Sequence, residues 1–521
     1  VKAERRAFYS ARMAKRALFL RDPDLAPLER LLFVKRFPFE PSHNYSVLLD
    51  SRYRGGGAVC ALDTPVAGGA LDPGAARCST LFDAGEGIAR TSMATFDAQT
   101  VYFSYRASEE DYYRIMRMPA EGGTPEVLTD GPFHDYWPCP LPDGGLAFIS
   151  TRCRARFLCW RPQAAVMFRM APDGSNMRPL SFANLSEWAP SVMSDGRIIW
   201  TRSEYLDKGA DFGHTLWAIR PDGAKPELVF GNTIIQPNGY ANGREVPGTS
   251  EFCCTLISHF GDLNGPIALV DIDAGRFTKE AITSLTPEVP WPGMWPLNEC
   301  FRDPVPISSD HVLCSHAPRE RFQLWVVDRY GNREFLYGDP DISCVCPTVF
   351  APRPTPPVLR NEAPEEEPWG EFFVADVYAG IEAEVPRGTA KYIRVVEEVR
   401  SNLEQLADGS YRDDHEAFLH WYASPVDVVS GPSGWTSYVA KAPHGVAPVY
   451  ADGSACFRAP AGKVLYFQLL DEHFTELQRM RSVVQLQPGE RRSCIGCHEP
   501  RTAAPRTRLT QAMHRAADLL E

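Results

Sequence analysis

A pattern of short apolar strands joined by Asp-Gly or Glu-Gly turns recurs about every 50 residues in the first two thirds of the chain. The segment 136–152 is echoed at 187–203, and the segment 116–129 is echoed at 168–181 and 216–230. A Gly-containing dipeptide between two alternating strands is the strongest local signal for a β-hairpin. Four short strands per repeat is the size of one β-propeller blade. The sequence therefore predicts a mainly β fold, with about six propeller blades between residues 31 and 350.

The segments outside these repeats have other textures. Residues 1–30 place apolar side chains at helical spacing and predict an N-terminal helical arm. Residues 351–369 are Pro-rich and then acidic, which indicates a stiff linker. Residues 370–521 alternate like strands and predict a second, smaller β-rich domain. Within it we expect a hairpin over 455–473 that turns at Ala461-Gly462, and a C-terminal amphipathic helix over 507–521.

The charge of the chain excludes one class of partner. The net charge is −12 and the isoelectric point is near 5.6, whereas a nucleic-acid-binding protein needs a basic surface. No apolar run is long enough to cross a bilayer. We therefore expect neither a nucleic-acid partner nor a membrane span.

The motif Cys494-x-x-Cys497-His498 near the C-terminal end carries the clearest chemistry. Two thiols at this spacing add to the two vinyl groups of one haem, and the adjacent imidazole then ligates the iron. The alternatives are half of a zinc site, a redox dithiol, or a sequence without a special role. For the second axial position, the nearest candidates are Met480 and His473, although Met480 also fits an ordinary core residue.

A second set of candidate residues stands near the turns of the repeats. These residues are polar, and the inner strand of a blade begins near the central channel, so equivalent positions from several blades could converge there. The histidines are predicted ligands of a divalent metal ion such as zinc, or acid/base groups: His43, His134, His259 and His316. The accompanying residues are Asp135, Glu187, Gln236 and Asn238. The alternative is a ring of capped turns with satisfied hydrogen bonds.

The chain has 14 cysteines, and twelve remain if two hold haem. Three pairs are close enough in sequence to be candidate disulfides: Cys60 with Cys78, Cys153 with Cys159, and Cys344 with Cys346. The adjacent Cys253 and Cys254 could form a strained disulfide or bind a metal. For each of them, burial as a small apolar side chain is the alternative.

Several separated stretches resemble one known family, in the same order along the chain. The repeats resemble the blades of TolB-like propellers. "ADVYAG", "VPRGTAKYIRV", "ADGSACFRAPAG", "YFQLLDE" and "MRSVVQLQPGERRSCIGCHEPR" resemble the middle domain of the hydrazine synthase alpha subunit family. "LFVKRFPFEPSHNY", "STRCRARFLCWRPQ" and "CTLISHFGDLNGPIALVD" resemble the propeller of a bacterial branch of that family. The resemblance covers nearly the whole chain.

The resemblance implies an N-terminal propeller, a middle domain that binds haem c, and export to the periplasm or a similar oxidising compartment. A leader peptide is not present in this numbering. Cys494 and Cys497 would be the thioether anchors, and His498 the motif imidazole. The family pattern places an iron-ligating tyrosine after the motif and diverts the motif histidine to zinc. No tyrosine follows Tyr466 here, so we expect His498 to ligate the iron directly.

The family also has a second haem motif, whereas this sequence contains one, so we expect a branch that does not produce hydrazine. The first functional hypothesis is an exported single-haem redox protein, which could be a subunit of a larger complex. It would exchange electrons with a redox partner protein or act on a small-molecule substrate. The second is a propeller enzyme whose histidine-bound metal acts on carbohydrate as a hydrolase or lyase. The third is a binding module with a vestigial haem motif.

Overall fold

The structure, a computed structural model, describes residues 2–39, 52–155, 163–183, 185–204, 213–293, 300–362, 367–400, 402–403, 405–409, 429–430, 436–437, 441–498 and 508–521. Within these residues, six groups of four antiparallel strands follow one another between residues 30 and 349. The innermost strands of successive groups contact one another in a closed ring. The predicted β-propeller is confirmed, and the described residues give it six blades.

The blades are numbered along the chain, and their strands run from the innermost outwards. Blade 1 comprises Ser343–Val349, Arg30–Arg36, Ala58–Asp63 and Arg77–Asp83. Blade 2 comprises Ile88–Ala94, Thr100–Arg106, Arg114–Pro119 and Glu126–Val127. Blade 3 comprises Asp135–Pro140, Leu146–Ser150, Val166–Met170 and Arg178–Pro179. Blade 4 comprises Glu187–Val192, Ile198–Ser203, His214–Ile219 and Glu227–Phe230. Blade 5 comprises Gly239–Glu245, Glu251–Ile257, Ile267–Asp271 and Ile282–Ser284. Blade 6 comprises Cys300–Pro306, His311–Ala317, Gln323–Asp328 and Arg333–Tyr337.

The ring of blades is closed by pairing between the two ends of the propeller segment. The innermost strand of blade 1, Ser343–Val349, comes from the end of that segment and pairs with Arg30–Arg36 from its beginning. The first blade therefore combines strands from both ends of the propeller segment. Blades 4 and 5 are additionally linked by one parallel pair, His214 with Gly239.

Every innermost strand contains a β-bulge at the same level of the channel. One residue of each bulge has a left-handed backbone with φ between 47° and 56°: Thr91, Trp137, Ala189, Asn242, Asp303 and Cys346. In four blades the next residue is proline, which has no N–H to give to a strand ladder: Pro138, Pro190, Pro304 and Pro347. A bulge leaves one residue unpaired, so proline is tolerated in these central strands.

The second domain contains two small sheets. One has the order Ala455–Pro460, Trp369–Val374 and Arg491–Cys494. The other has the order Lys441–Pro448, Tyr392–Glu398, Leu465–Leu470 and Glu476–Arg479. A further short pair joins Val429–Ser430 to Thr436–Ser437. An apolar cluster that includes Phe372, Phe457 and Leu465 lies between the two main sheets.

Two local predictions for the second domain are wrong. The strands on either side of Ala461-Gly462 do not pair with each other, because each of them joins a different sheet. The described part of the expected C-terminal helix is a single 3-10 turn, Gln511–His514, followed by extended chain. Asp518 and Glu521 exchange backbone hydrogen bonds with the edge strands 455–460 and 441–448, at 2.9–3.0 Å. These edges offer the tail backbone partners outside itself, so it does not need helical ones.

The N-terminal arm contains the helix α1, Lys2–Phe19, and the 3-10 helix Pro23–Glu29. Arg12 and Arg16 of α1 form ion pairs with the buried carboxylate of Glu334 in blade 6. Further 3-10 turns occur at Pro73–Ala75, Thr151–Cys153 and Lys279–Ala281, and a two-residue hairpin joins Val66–Ala67 to Ala70–Leu71. Among the described residues, no helix has both the length and the apolar character needed to cross a membrane.

Candidate functional site

The C-x-x-C-H motif is held by backbone hydrogen bonds to the turn that follows strand Trp369–Val374. Cys494 ends the strand Arg491–Cys494 and is paired in parallel with Val374. The N–H groups of Ala375 and Asp376 donate to the carbonyl oxygens of Cys494 and Ile495, both at 2.9 Å. The N–H of His498 donates to the carbonyl oxygen of Ala379 at 3.1 Å. The loop that carries the two thiols therefore has a fixed backbone path.

Gly496, between the two cysteines, packs directly against this turn. A Cβ atom at this position would lie 2.4 Å from the Cβ of Ala379 and 2.7 Å from its carbonyl oxygen. Real Cβ atoms do not approach other atoms so closely, so the path of the loop requires glycine. Gly496 is thus part of the packing that fixes the positions of the two cysteines.

The side chains of the motif point into different surroundings. Cys494 is half-buried and packs against the apolar cluster of the second domain, whereas Cys497 and His498 are exposed. The motif thus offers one thiol beside an apolar cluster, a second thiol at the surface and an adjacent imidazole. This set of donors suits a large apolar cofactor with one solvent-accessible edge. The residues present therefore fit a covalently attached haem.

The candidates for the second axial ligand lie in ordinary structural positions. Met480 is half-buried, its N–H donates to the carbonyl oxygen of Phe467 at 3.0 Å, and its side chain packs against two apolar clusters. His473 lies in an exposed turn beside Glu472, 3.6 Å away. Packing accounts for Met480 without an iron, and its role as a ligand stays a prediction.

Two of the predicted channel histidines are occupied by local contacts. Nδ1 of His134 accepts a hydrogen bond from the N–H of Tyr113 at 3.2 Å, and burial lowers the pKa of His134 to about 3. The ring of His316 stacks on Phe301 at 3.9 Å, and its Nδ1 lies 3.1 Å from the carbonyl oxygen of Cys300. His43 lies outside the described residues.

His259 has a histidine neighbour that the sequence analysis did not select. Its ring stacks against that of His214, with centroids 6.3 Å apart and planes 23° apart. Nδ1 of His214 lies 2.9 Å from Oγ of Ser203, and burial lowers the pKa of His259 to about 4. His214 begins the strand His214–Ile219, and the pairing of blades 4 and 5 brings it beside His259.

The predicted histidines do not form a common metal site in the part of the chain that the structure describes. There, one group brings three ligand atoms within 4.8 Å of one another: Asp22, Asp24 and His311. That group lies at the junction of the N-terminal arm and blade 6 and contains none of the predicted histidines. A metal-binding role for His134, His259, His316 and His498 therefore stays a prediction.

The predicted acidic residues serve the structure of their blades. Asp135 accepts hydrogen bonds from Oγ of Ser150 at 2.6 Å and from the guanidinium of Arg152 at 2.8–3.0 Å. Glu187 accepts from Oγ of Ser181 at 2.7 Å and from the N–H of Met167 at 2.8 Å. These contacts match the alternative given above, a ring of capped turns whose polar groups have their hydrogen bonds satisfied. Asn238 is also buried, whereas Gln236 is exposed and donates to the carbonyl oxygen of Trp291 at 3.1 Å.

The candidate cysteine pairs differ in their surroundings. Cys60 and Cys78 interact through their thiols, which raises the pKa of Cys60 and lowers that of Cys78. Cys253 and Cys254 point to opposite faces of their strand, into separate apolar clusters. The expectation of a strained link between these two residues is wrong, and burial explains them. Cys344 and Cys346 are separated by the bulge and also pack in different clusters. Cys159 lies outside the described residues.

The segment that precedes the motif packs on blades 3 and 4 of the propeller. Nε2 of Gln485 donates to the carbonyl oxygen of Leu180 at 2.9 Å, and its Oε1 accepts from the N–H of Phe182 at 3.1 Å. Oγ of Ser482 donates to the buried carboxylate of Glu204 at 3.0 Å. The strand that ends at Cys494 therefore leads directly out of the contact with the propeller.

Comparisons with known proteins agree with this arrangement. Residues 388–499 match the family model described as the hydrazine synthase alpha subunit middle domain. This match includes the whole C-x-x-C-H motif. The resemblance to the hydrazine synthase alpha subunit family that the sequence predicts is thereby confirmed. No curated protein sequence matches the chain.

The fold as a whole is similar to that of solved structures. Hydrazine synthase from Kuenenia stuttgartiensis superposes with a TM-score of 0.70 at 15% identity, covering 93% of this chain and 71% of that chain. TolB from Acinetobacter baumannii superposes with a TM-score of 0.42 at 14% identity, covering 61% of this chain and 66% of that chain. The first similarity shows that propeller and second domain share one fold with the hydrazine synthase chain.

Proposed function

We propose that this protein is an exported c-type haem protein with a single haem, which transfers electrons or performs redox chemistry on a small molecule. The observation that carries the proposal is the C-x-x-C-H loop, which holds one half-buried thiol, one exposed thiol and one exposed imidazole on a fixed backbone. The family match over 388–499 supports it, because the matched segment contains this loop.

Each residue of the motif has a defined role in this proposal. Cys494 and Cys497 would hold the haem through two thioether bonds, each made by addition of one S–H across one vinyl group without loss of an atom. The imidazole of His498, next to the second anchor, would ligate the iron. A bound haem iron would supply one-electron chemistry at this position. The apolar cluster against which Cys494 packs would shield the bound group from water on that side.

Export and partners belong to the same proposal. Attachment of haem c takes place in an oxidising compartment in the family that the chain resembles, and we therefore place the protein in the periplasm or a comparable compartment. The family description names a subunit, which supports assembly with other proteins. A redox partner protein or a small-molecule substrate would complete the electron path.

The proposal is tested by absorbance spectroscopy of protein produced together with a haem-maturation system. We expect a Soret band and the α band of a thioether-linked haem, which persist after denaturation and acid extraction. Cys494→Ser with Cys497→Ser should abolish covalent haem. Cys456→Ser is the matched control, because Cys456 is a half-buried cysteine of the same domain outside the motif. Correctly folded protein without covalent haem would refute the proposal.

A second substitution tests the ligand. His498→Ala should convert a low-spin spectrum to a high-spin one while covalent attachment partly survives. His473→Ala, which removes an exposed histidine of the same domain, should leave the spectrum unchanged. An unchanged spectrum in His498→Ala would show that another residue ligates the iron.

A further inference from the structure

The six bulges line a small, partly open cavity at the waist of the propeller channel. Its lining includes the left-handed residue of every blade, and its volume is about 30 Å³. One water molecule needs roughly 10–15 Å³ measured in this way. The cavity is therefore too small for an organic substrate and large enough for about one to three non-hydrogen atoms.

Three polar atoms at the cavity have no hydrogen-bond partner among the described residues. They are Oγ1 of Thr91, Oγ of Ser92 and Nε of Arg244, and all three are buried. Ser92 is 1% exposed. A buried donor without a partner costs free energy, so such a group in a native fold calls for a bound water or ligand. Two hydroxyls and a guanidinium are all able to donate a hydrogen bond.

The carboxylates near the cavity are already neutralised by other arginines. Asp303 accepts from Nε of Arg302 at 2.8 Å, from Nδ2 of Asn242 at 2.9 Å and from the N–H of Cys346 at 2.9 Å. Asp262 lies 2.6 Å from Arg302 and 3.1 Å from Arg36. These two carboxylates and two guanidiniums balance in charge.

Besides Arg90, whose buried guanidinium lies over the ring of Trp137 at 4.9 Å, Arg244 and Arg353 are left in excess. Nη1 of Arg244 donates to Oγ of Ser191 at 3.1 Å, and Arg353 donates to the carbonyl oxygens of Ala94 and Thr95 at 2.9–3.2 Å. In the described part of the chain neither forms an ion pair with a carboxylate. Burial, followed by the charge of Arg244, lowers the pKa of Arg353. Guanidinium groups nevertheless remain protonated in proteins.

The waist thus combines a small cavity, unpartnered donors and unbalanced buried positive charge. We propose that it binds a small monovalent anion, of the size of a halide, held by the guanidinium of Arg244 and the hydroxyls of Thr91 and Ser92. The anion would offset one of the excess positive charges and accept hydrogen bonds from the three donors. This site is independent of the proposed haem chemistry, since it lies in the propeller.

Bromide is a suitable probe of the site. Thermal unfolding of the full chain is measured in sodium bromide and in sodium gluconate at equal ionic strength, because gluconate is too large for the cavity. We expect the unfolding temperature to rise saturably with bromide, as for any ligand that binds only the folded state. Anomalous diffraction from crystals grown in bromide should place a peak at the waist. Water alone at that position would overturn the proposal.

Two variants connect the effect to the site. Arg244→Met should abolish the bromide-dependent stabilisation, and Ser92→Ala should raise the apparent Kd about tenfold. The control is Arg394→Met, which removes a guanidinium of the second domain bonded to Gln468. If Arg244→Met does not fold, Ser92→Ala alone decides, since it removes one hydroxyl. Equal bromide dependence in wild type and Ser92→Ala would overturn the proposal.

Discussion

Buried imidazole rings couple the stability of the protein to pH. Burial lowers the pKa of His134 to about 3 and that of His259 to about 4, whereas a histidine in an unfolded chain has a pKa of about 6.5. Below pH 6.5 the unfolded chain binds protons that the folded chain does not bind. The free energy of unfolding therefore falls as the pH falls from about 6.5 towards the folded values.

We predict that His259→Gln and His134→Gln each reduce this loss of stability on acidification. Each titrating histidine contributes a slope of up to about 1.4 kcal/mol per pH unit between its folded and unfolded pKa values. Urea unfolding between pH 4 and pH 7 measures the slope. His473→Gln is the control, because His473 is 79% exposed and experiences solvent in both states. If the pH dependence of the free energy of unfolding were unchanged in both variants, His134 and His259 would not be the source of the acid destabilisation.

Single residues also show where prediction from sequence stops. The motif residues Cys494, Cys497 and His498 were identified from their spacing alone. Gly496 was not selected, since its importance depends on the distance to Ala379, a residue more than a hundred positions earlier. His214 was missed for a similar reason, because its ring contact with His259 comes from neighbouring blades.

The described part of the linker after the propeller is fixed by contacts at both ends. Its residues 351–362 run from blade 2, where the N–H of Arg353 donates to the carbonyl oxygen of Phe96 at 2.8 Å, to blade 4. There the N–H of Glu362 donates to Oδ2 of the buried Asp222 at 2.8 Å, and Glu362 pairs with Arg220 and Lys225. The prolines of this segment predicted stiffness, and the contacts at both ends fix its direction.

Asp222→Ala should loosen the linker and destabilise the protein by about 1–3 kcal/mol, because two backbone N–H groups lose their acceptor. Oδ1 of Asp222 accepts from Ala224 in its own Pro-Asp-Gly turn, and Oδ2 accepts from the linker. Asp173→Ala is the matched control, since Asp173 lies in the equivalent turn of blade 3 and bonds Ser175 within that turn. Limited proteolysis measures the loosening of the linker, and urea unfolding measures the loss of stability. Equal behaviour of both variants would show that the linker contact contributes nothing.

The bulged inner strands show how an element can contradict its local signals. Proline inside a central strand normally argues against a strand, since it cannot donate to the ladder. Here Pro138, Pro190, Pro304 and Pro347 follow the left-handed residue of a bulge, where pairing is already interrupted. Repetition of the residue-Pro step in four blades was visible in the sequence, whereas its meaning required the register of the strands.

At the scale of the whole molecule, the propeller and the second domain share one apolar cluster. Trp137, Trp188 and Trp200 of the blades pack in it together with Tyr466 and Val483 of the second domain. Glu490 adds a part-buried hydrogen bond, which it accepts from the N–H of Lys225 at 2.8 Å. We therefore expect both parts to unfold in one cooperative transition.

Val483→Asp should separate this transition into two, because Val483 is 3% exposed and an unpaired carboxylate there would be buried between the two parts. Differential scanning calorimetry measures the number of transitions. Val358→Asp is the matched control, as Val358 is 62% exposed on the linker. A single transition at the wild-type temperature in Val483→Asp would show that the shared cluster does not couple the parts.

The sequence by itself determined the propeller, the order of the domains and the C-x-x-C-H motif. All three depend on spacing along the chain: the period of the repeats, the turn dipeptides and the positions of two thiols and an imidazole. The tertiary structure decided which histidines meet, how the tail pairs, and that the inner-strand bulges of all six blades line one small cavity that also borders Arg244. These features depend on distances between residues from different blades, and local sequence patterns do not encode such distances.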